Sequence, residues 1–271
     1  MRRTSIATAA VAALILGGST FALLGSGIAL GTMIEVGTAP GDVIDYGPST
    51  GASGTTGTTG TSGATATTGT TGATASTSPV PQCPGTPCLA VSQTTAFQVK
   101  VGSDRSISVI PRNGTIVAWT VTLSSPTTTA PAGDTSQTTY FDDHEGGAAA
   151  AGIAVLKPGK KLNYTLVAQS PTIPLLPYFG ETVQFPLATT IPVTKGEILA
   201  LTVPTWAPVL ALSDAAGTDY GKFTSWRSSR QKGGCVTTSQ TAQQSLRSTV
   251  QYYCLYQSVR LAYSALEVST P

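Results

Sequence analysis

The sequence predicts an all-β protein, an antiparallel β-sandwich of the jelly-roll type, preceded by an N-terminal apolar helix and a disordered Gly/Thr linker. Three observations support this prediction. The last two thirds of the chain contain short runs in which apolar and polar side chains alternate. Gly, Pro and Asn turn signals separate these runs, and no segment beyond the N-terminus has a clear helical period. Short strands at regular spacing are typical of sandwiches and barrels.

Residues 1–34 are predicted to be a signal anchor, with a cleaved signal peptide as the alternative. After Arg3 this segment has no ionisable side chain, and its apolar stretch Ile6–Leu30 would form a helix of about 37 Å. Because a bilayer core is about 30 Å thick, such a helix can span the cytoplasmic membrane. Arg2 and Arg3 favour a cytoplasmic N-terminus. We therefore expect the rest of the chain to be extracytoplasmic, either membrane-anchored or secreted.

Residues 35–82 are predicted to be a flexible linker. From Ser49 to Ser78 the chain contains Gly, Thr, Ser and Ala alone, a composition that cannot offset the entropy of ordering. A coil of this length has a root-mean-square span of about 30 Å. The linker ends in a proline-rich stretch that resembles a semi-rigid collar. It is expected to act as a stalk for the folded domain.

Residues 83–271 are long enough for one domain with a substantial core. The alternation within each predicted strand indicates which side chains face inward. These are Val117, Trp119, Val121 and Leu123; Ile107 and Val109; Leu162, Tyr164 and Leu166; and Leu199, Leu201 and Val203. An immunoglobulin-type sandwich is disfavoured because its cysteine, tryptophan, cysteine spacing is absent.

Four cysteines fit an oxidising compartment and permit three disulfide pairings. Sequence proximity favours Cys83 with Cys88 and Cys235 with Cys254. The second pair would close a polar loop and stabilise the fold by about 3 kcal/mol. A zinc site with four thiolates is the alternative, but the first pair has no matching second pair close in sequence.

A run of charged side chains, Asp142, Asp143, His144 and Glu145, is the candidate metal site. Carboxylates and an imidazole are suitable ligands for a structural divalent cation, and no other cofactor is predicted. The alternative is a solvated loop between strands. His144 is the single histidine, and no G-x-S-x-G motif is present, so serine hydrolase and zinc hydrolase chemistry are not supported.

Aromatic side chains supply the candidate ligand-binding residues. Tyr178, Phe179 and Trp206 lie in proline-rich stretches that restrict the backbone, and Trp226 with Arg227 belongs to a small basic patch. Rings held in this way are suited to stacking on sugars. The alternative is that they plug the ends of the core. Nucleic-acid binding is not expected, because 13 Lys and Arg are set against 10 Asp and Glu after residue 82 and the chain is predicted to be exported.

Several segments resemble a group of uncharacterised exported proteins from high-GC bacteria. They are GTIVAWTVTLSSPT, VLKPGKKLNYTLVAQSP, PYFGETVQFPL and KGEILALTVPTWAP, followed by SWRSSR and the late cysteine pair. The resemblance covers most of the chain after Phe97. It implies an extracellular single-domain β protein and implies no activity, because no functional residues are assigned in that group.

Three hypotheses for function follow. The first is a membrane-tethered binding module at the cell surface that recognises glycan or another envelope polymer. The second is a structural envelope component that self-associates and has no discrete ligand site. The third is a secreted carbohydrate-active hydrolase, which needs two carboxyl groups across a cleft. Since no two acids can be paired from the sequence, an enzyme is less favoured than a binding protein.

Overall fold

The structure is a computed structural model that describes residues 33–37, 90–129, 135–211, 224–235, 241–257 and 259–270. The predicted apolar helix, the Gly/Thr segment and the Cys83 and Cys88 pair lie outside these residues. Where it is described, the chain is mostly antiparallel β-sheet, which confirms the predicted class. No helix in these ranges has the length and apolar character needed to cross a membrane.

Fifteen strands are described. In chain order they are β1 (Met33–Gly37), β2 (Val91–Val101), β3 (Asp104–Arg105), β4 (Gly114–Thr122), β5 (Ala150–Pro158), β6 (Asn163–Gln169), β7 (Ile173–Pro174), β8 (Thr182–Val193), β9 (Ile198–Ala207), β10 (Leu210–Ala211), β11 (Thr224–Ser228), β12 (Thr249–Gln251), β13 (Leu255–Gln257), β14 (Arg260–Leu261) and β15 (Tyr263–Ser269). The described residues also contain one α-helix, α1 (Gln137–His144), and the 3-10 helices Lys160–Leu162 and Leu176–Tyr178.

The described strands form two large sheets and a separate two-stranded sheet of β10 and β14. The smaller of the two large sheets has four antiparallel strands in the order β1, β15, β4, β8. β8 lies at an edge of this sheet, consistent with the presence of Pro186 and Pro192, which have no N–H to donate to a second neighbour. The other edge is β1, the strand nearest the N-terminus among those described, and it pairs with β15 near the C-terminus. The predicted boundary between residues 34 and 35 therefore falls inside a strand of the folded domain.

The larger sheet runs in the order β12, β6, β5, β9, β2, β11, β13, with β3 paired to β2 and β7 paired to β5. Alternate residues of its central strand β9 enter two different hydrophobic clusters. Leu199, Leu201 and Val203 join a large cluster that also contains Trp119 of the smaller sheet. Ile198 and Ala200 join a second cluster. Because successive side chains point to opposite faces, this sheet is buried on both faces.

A β-bulge in β4 changes which of its residues face the core from those that the alternation predicts. Trp119, Val121 and Leu123 are buried as expected, but Val117 is not, and Ile116 is buried instead. The register shifts between Ile116 and Ala118 against β8, and the pairing with β15 shifts at the same place. Against β15, Val117 is the extra residue of a bulge, whereas against β8 it stands opposite residues 187–190, so the longer insertion there belongs to β8. The inward prediction for Val117 is therefore wrong.

The predicted strand at residues 106–110 is also wrong. Ile107 and Ser108 form a turn, and Val109 makes an isolated bridge to Ile198. Ser108 and Ile110 are the buried residues here, whereas Ile107 and Val109 are half-buried. The hydroxyl of Ser108 lies 3.3 Å from the hydroxyl of Tyr263, a partner that an alternation pattern does not reveal.

Candidate ligand-binding recess

Trp206 does not present a ring to a ligand. Its side chain is 0% exposed, and its ring stacks on Phe141 of α1 at a centroid distance of 4.8 Å. Phe179 contacts the same indole at 5.6 Å. Trp206 is therefore a core residue covered by α1, so the plug alternative describes it and the ligand-binding prediction does not.

The charged run forms the end of α1 and a following turn. The helix begins after Ser136, whose Oγ accepts a hydrogen bond from the backbone N–H of Thr139. At the other end, Nδ1 of His144 donates to the Tyr140 carbonyl at 2.7 Å, and the two rings stack. No group of three or more His, Cys, Asp or Glu that could hold a metal ion occurs among the described residues. Asp142, Asp143, His144 and Glu145 are therefore not brought together as such a group in the part of the chain that the structure describes.

Tyr178 is the last residue of the 3-10 helix Leu176–Tyr178, and Phe179 follows it. Both side chains pack against the large cluster as half-buried residues. The ring of Tyr178 meets Phe185 edge-on at 5.2 Å. These contacts place both rings over one end of the core, as the plug alternative expects.

The predicted basic and aromatic patch is a structural contact. Trp226 is 6% exposed and stacks on Tyr256 at 4.4 Å. The guanidinium of Arg227 donates to the carbonyls of Tyr252 and Tyr253 at 3.1 and 2.9 Å. Successive residues of β11 point to opposite faces, so these two side chains do not form one surface.

A recess of about 320 Å³ opens at the second hydrophobic cluster, on the face of the larger sheet that points away from the smaller sheet. We call it the recess. It is lined by Phe97, Gln98, Val99, Arg105, Ser106, Ser108, Val109, Tyr164 and Ile198. An apolar wall with a few polar groups is the usual character of a small-ligand site.

Two aromatic rings form one wall of the recess, and a third supports them. Phe97 from β2 lies 5.1 Å from Tyr164 of β6, and Tyr252 packs on Phe97 at 5.6 Å and on Tyr164 at 5.0 Å. Tyr252 is itself fixed, because its hydroxyl donates to Oε1 of Gln243 at 2.7 Å. The aromatic wall is thus held from behind by buried contacts and can present Tyr164 in a fixed orientation.

The Cys235 and Cys254 disulfide stabilises the segment that carries this support. The predicted pairing is confirmed, with a Cα separation of 5.4 Å. Cys254 lies two residues after Tyr252, and the closed loop contains Gln243. Nε2 of Gln243 donates to the Ser248 carbonyl at 2.8 Å, which closes a polar turn beside the aromatic cluster.

Tyr164 supplies the ionisable hydroxyl among the residues that line the recess. Desolvation raises the pKa of Tyr164, and the nearby Arg227 offsets part of that rise. The Tyr164 hydroxyl is therefore neutral at ordinary pH and can both donate and accept a hydrogen bond. The residues that line the recess include no carboxylate, histidine or cysteine, and Tyr164 is the lining residue of a type that can act as a general acid or base.

Two other cavities border described residues. One of about 600 Å³ lies between the segments 229–234 and 241–250. The other, of about 330 Å³, is a polar groove on the outer face of the smaller sheet, lined by Glu35, Thr120, Thr182, Gln184, Ser264 and Leu266. Neither has the aromatic wall that distinguishes the recess.

The sequence carries a signal for one strand of the recess that is not among the predicted strands. Phe97, Val99 and Val101 repeat with a period of two, as apolar residues on one face of a β-strand do. Tyr164 is predicted to face inward, which its packing against the second cluster supports.

No family model, curated protein or solved structure matches the chain. The resemblance to exported bacterial proteins therefore stays a prediction.

Proposed function

We propose that the chain is an extracytoplasmic binding module, tethered to the cytoplasmic membrane by its N-terminal helix, that recognises a glycan or another envelope polymer. The recess is the observation that carries this proposal. Its volume of about 320 Å³ suits one or two sugar rings, and its wall combines apolar surface with a hydroxyl. The disulfide supports an oxidising, exported location.

We also propose that the two sheets make a jelly-roll-like sandwich. The large hydrophobic cluster supports this, because it contains residues from both sheets, among them Trp119 and Leu201. On this proposal the recess lies on an outer face of the sandwich, where a polymer chain can approach without entering the core. A hydrolase is not proposed, since no carboxyl group lines the recess.

Binding is tested with the full chain in detergent micelles, titrated with soluble glycans and solubilised cell-wall fractions. The chain must retain residues 33–37, because a fragment that begins after them lacks β1. We expect saturable binding by native protein that heat denaturation abolishes. Failure to bind any glycan or wall fraction would contradict the proposal.

Two variants locate the site. Val109→Phe adds a ring to the wall and fills the recess without removing an existing contact, and Tyr164→Ala removes the stacking surface. Both should weaken binding by more than about tenfold. Val167→Ala, on an exposed position of β6, is the matched control and should bind normally. Normal binding by both recess variants would place the site elsewhere.

A further inference from the structure

Among the described strands, β1 has the longest connection to the strand that follows it in the chain. It ends at Gly37, and the next described residue is Ala90, so 52 residues separate them. β1 lies at the edge of the smaller sheet and pairs with β15 over five residues, from Met33 opposite Val268 to Gly37 opposite Ser264. Its place in the fold therefore depends on the contacts of five residues.

Those contacts are specific. Val36 is 3% exposed and belongs to the large hydrophobic cluster. On the outer face, the hydroxyl of Ser264 donates to Oε1 of Glu35 at 2.6 Å. The backbone N–H of Gly37 donates to the Ile107 carbonyl at 3.1 Å. A strand in this position thus fills a gap in the core, completes backbone pairing along β15 and fixes its own register.

The connection is long enough to reach a second copy of the chain. Fully extended, 52 residues span at most about 180 Å, whereas a domain of this size has a radius of gyration of about 16 Å. The contacts of β1 are the same whether it pairs with its own β15 or with that of a neighbour. Effective concentration then decides between the two arrangements, and anchoring many copies in one membrane raises the concentration of neighbours.

We propose that β1 is an exchangeable strand and that neighbouring copies of this chain associate by placing β1 of one copy beside β15 of another. The partner surface is the β15 edge, and the occupant is Met33–Gly37 of a second copy. Reciprocal exchange closes a dimer, and one-way exchange extends a chain of copies. This inference does not depend on the recess, because none of the recess-lining residues belongs to β1 or β15.

The test uses two full-length chains with different affinity tags, expressed together in one membrane. One carries Glu35→Cys and the other Leu266→Cys, at positions that lie opposite each other and line the same outer groove. Mild oxidation should yield a covalent heterodimer that carries both tags. A pair of Glu35→Cys and Val167→Cys chains is the control for chance collision, since Val167 is exposed on the other sheet, and should yield none.

A single chain with both substitutions reports pairing within one molecule. If it forms the internal crosslink while the mixed chains form no heterodimer, β1 stays with its own domain and the proposal is overturned. If neither crosslink forms, the pairing of β1 with β15 is itself contradicted. Adding Val36→Asp to the Glu35→Cys chain should abolish the heterodimer, because it places a charge in the core position that Val36 fills.

Discussion

The indole Nε1 of Trp206 donates a 2.8 Å hydrogen bond to Oδ1 of Asp142. This bond joins one residue predicted to bind a ligand to another predicted to bind a metal. Trp206 is 0% exposed, so Asp142 is the group that satisfies its buried N–H. Together with the stacked ring of Phe141, it fixes α1 over the end of β9. Both residues therefore act in holding the helix to the sheet.

Removing the Asp142 side chain should destabilise the fold. Asp142→Ala leaves the Trp206 N–H without an acceptor, which costs about 1–3 kcal/mol, while Asp142→Asn retains an acceptor oxygen and should lose less. Urea unfolding measures the difference. The neighbouring exposed Asp143→Ala should change stability by less than about 0.5 kcal/mol. Equal losses from the Ala and Asn variants would show that the hydrogen bond is not the stabilising contact.

The period of two found β4, β6 and β9 but not their defects, and it did not find other long strands such as β2 and β8. It correctly predicted that Leu199, Leu201 and Val203 of β9 are buried, but not that Ile198 and Ala200 on the opposite face are buried as well. It failed at Val117, since a bulge is set by pairing with two neighbouring strands and leaves no local pattern. β1 was missed because five residues after an apolar segment are too few to show alternation.

The candidate site was harder to predict than the fold. An aromatic residue between prolines reads the same in sequence whether its ring is exposed or covered, and the position of α1 decided the outcome for Trp206. The recess combines Phe97, Tyr164 and Ile198 from three different strands. Their proximity depends on sheet order, which the sequence does not specify locally.

Glu267 should make stability depend on pH. It is 0% exposed, and neither carboxyl oxygen has a hydrogen-bond partner among the described residues. Burial raises its pKa above the usual range, and Arg112 offsets part of that rise. The folded state therefore holds the Glu267 proton more tightly than the unfolded state, and protonation of Glu267 stabilises the fold. This contribution to the free energy of unfolding is complete below the unfolded pKa of Glu267 and is lost as pH rises through its folded pKa.

Glu267→Gln should therefore be more stable than the parent at neutral pH, and the gap should close towards about pH 4. The amide has a similar shape and carries no charge to desolvate. Urea midpoints across this pH range measure the effect, with the exposed Glu181→Gln as control. A loss of stability in the Gln variant at neutral pH would indicate that the ionised carboxylate has a stabilising partner.

The disulfide should contribute both stability and the shape of the recess. Cys235 and Cys254 are 19 residues apart, so replacing both with Ala should cost about 3 kcal/mol. The loop it closes contains the Gln243 that fixes Tyr252, so ligand affinity should fall as well. Ser245→Ala, exposed in the same loop, should change neither. Unchanged unfolding of the double variant would show that the loop is held by its hydrogen bonds alone.

Gly37 should be the least replaceable residue of β1. Its φ is +113°, and an added Cβ would lie 2.8 Å from the Ser264 Cα and from the Tyr263 carbonyl oxygen. Gly102 has a φ of +58° and no atom within 4 Å of such a Cβ, so Gly102→Ala should cost about 1–2 kcal/mol for a left-handed backbone without a clash. Gly37→Ala should cost more, because its φ lies further from the left-handed α region and the added Cβ clashes. The loss of stability from Gly37→Ala is limited, because the chain can release β1 and remain folded elsewhere.

Hydrogen exchange should therefore be faster at the β15 amides of the Gly37→Ala variant and little changed in β9. Uniformly faster exchange throughout both sheets would mean instead that β1 cannot separate from the fold without global unfolding.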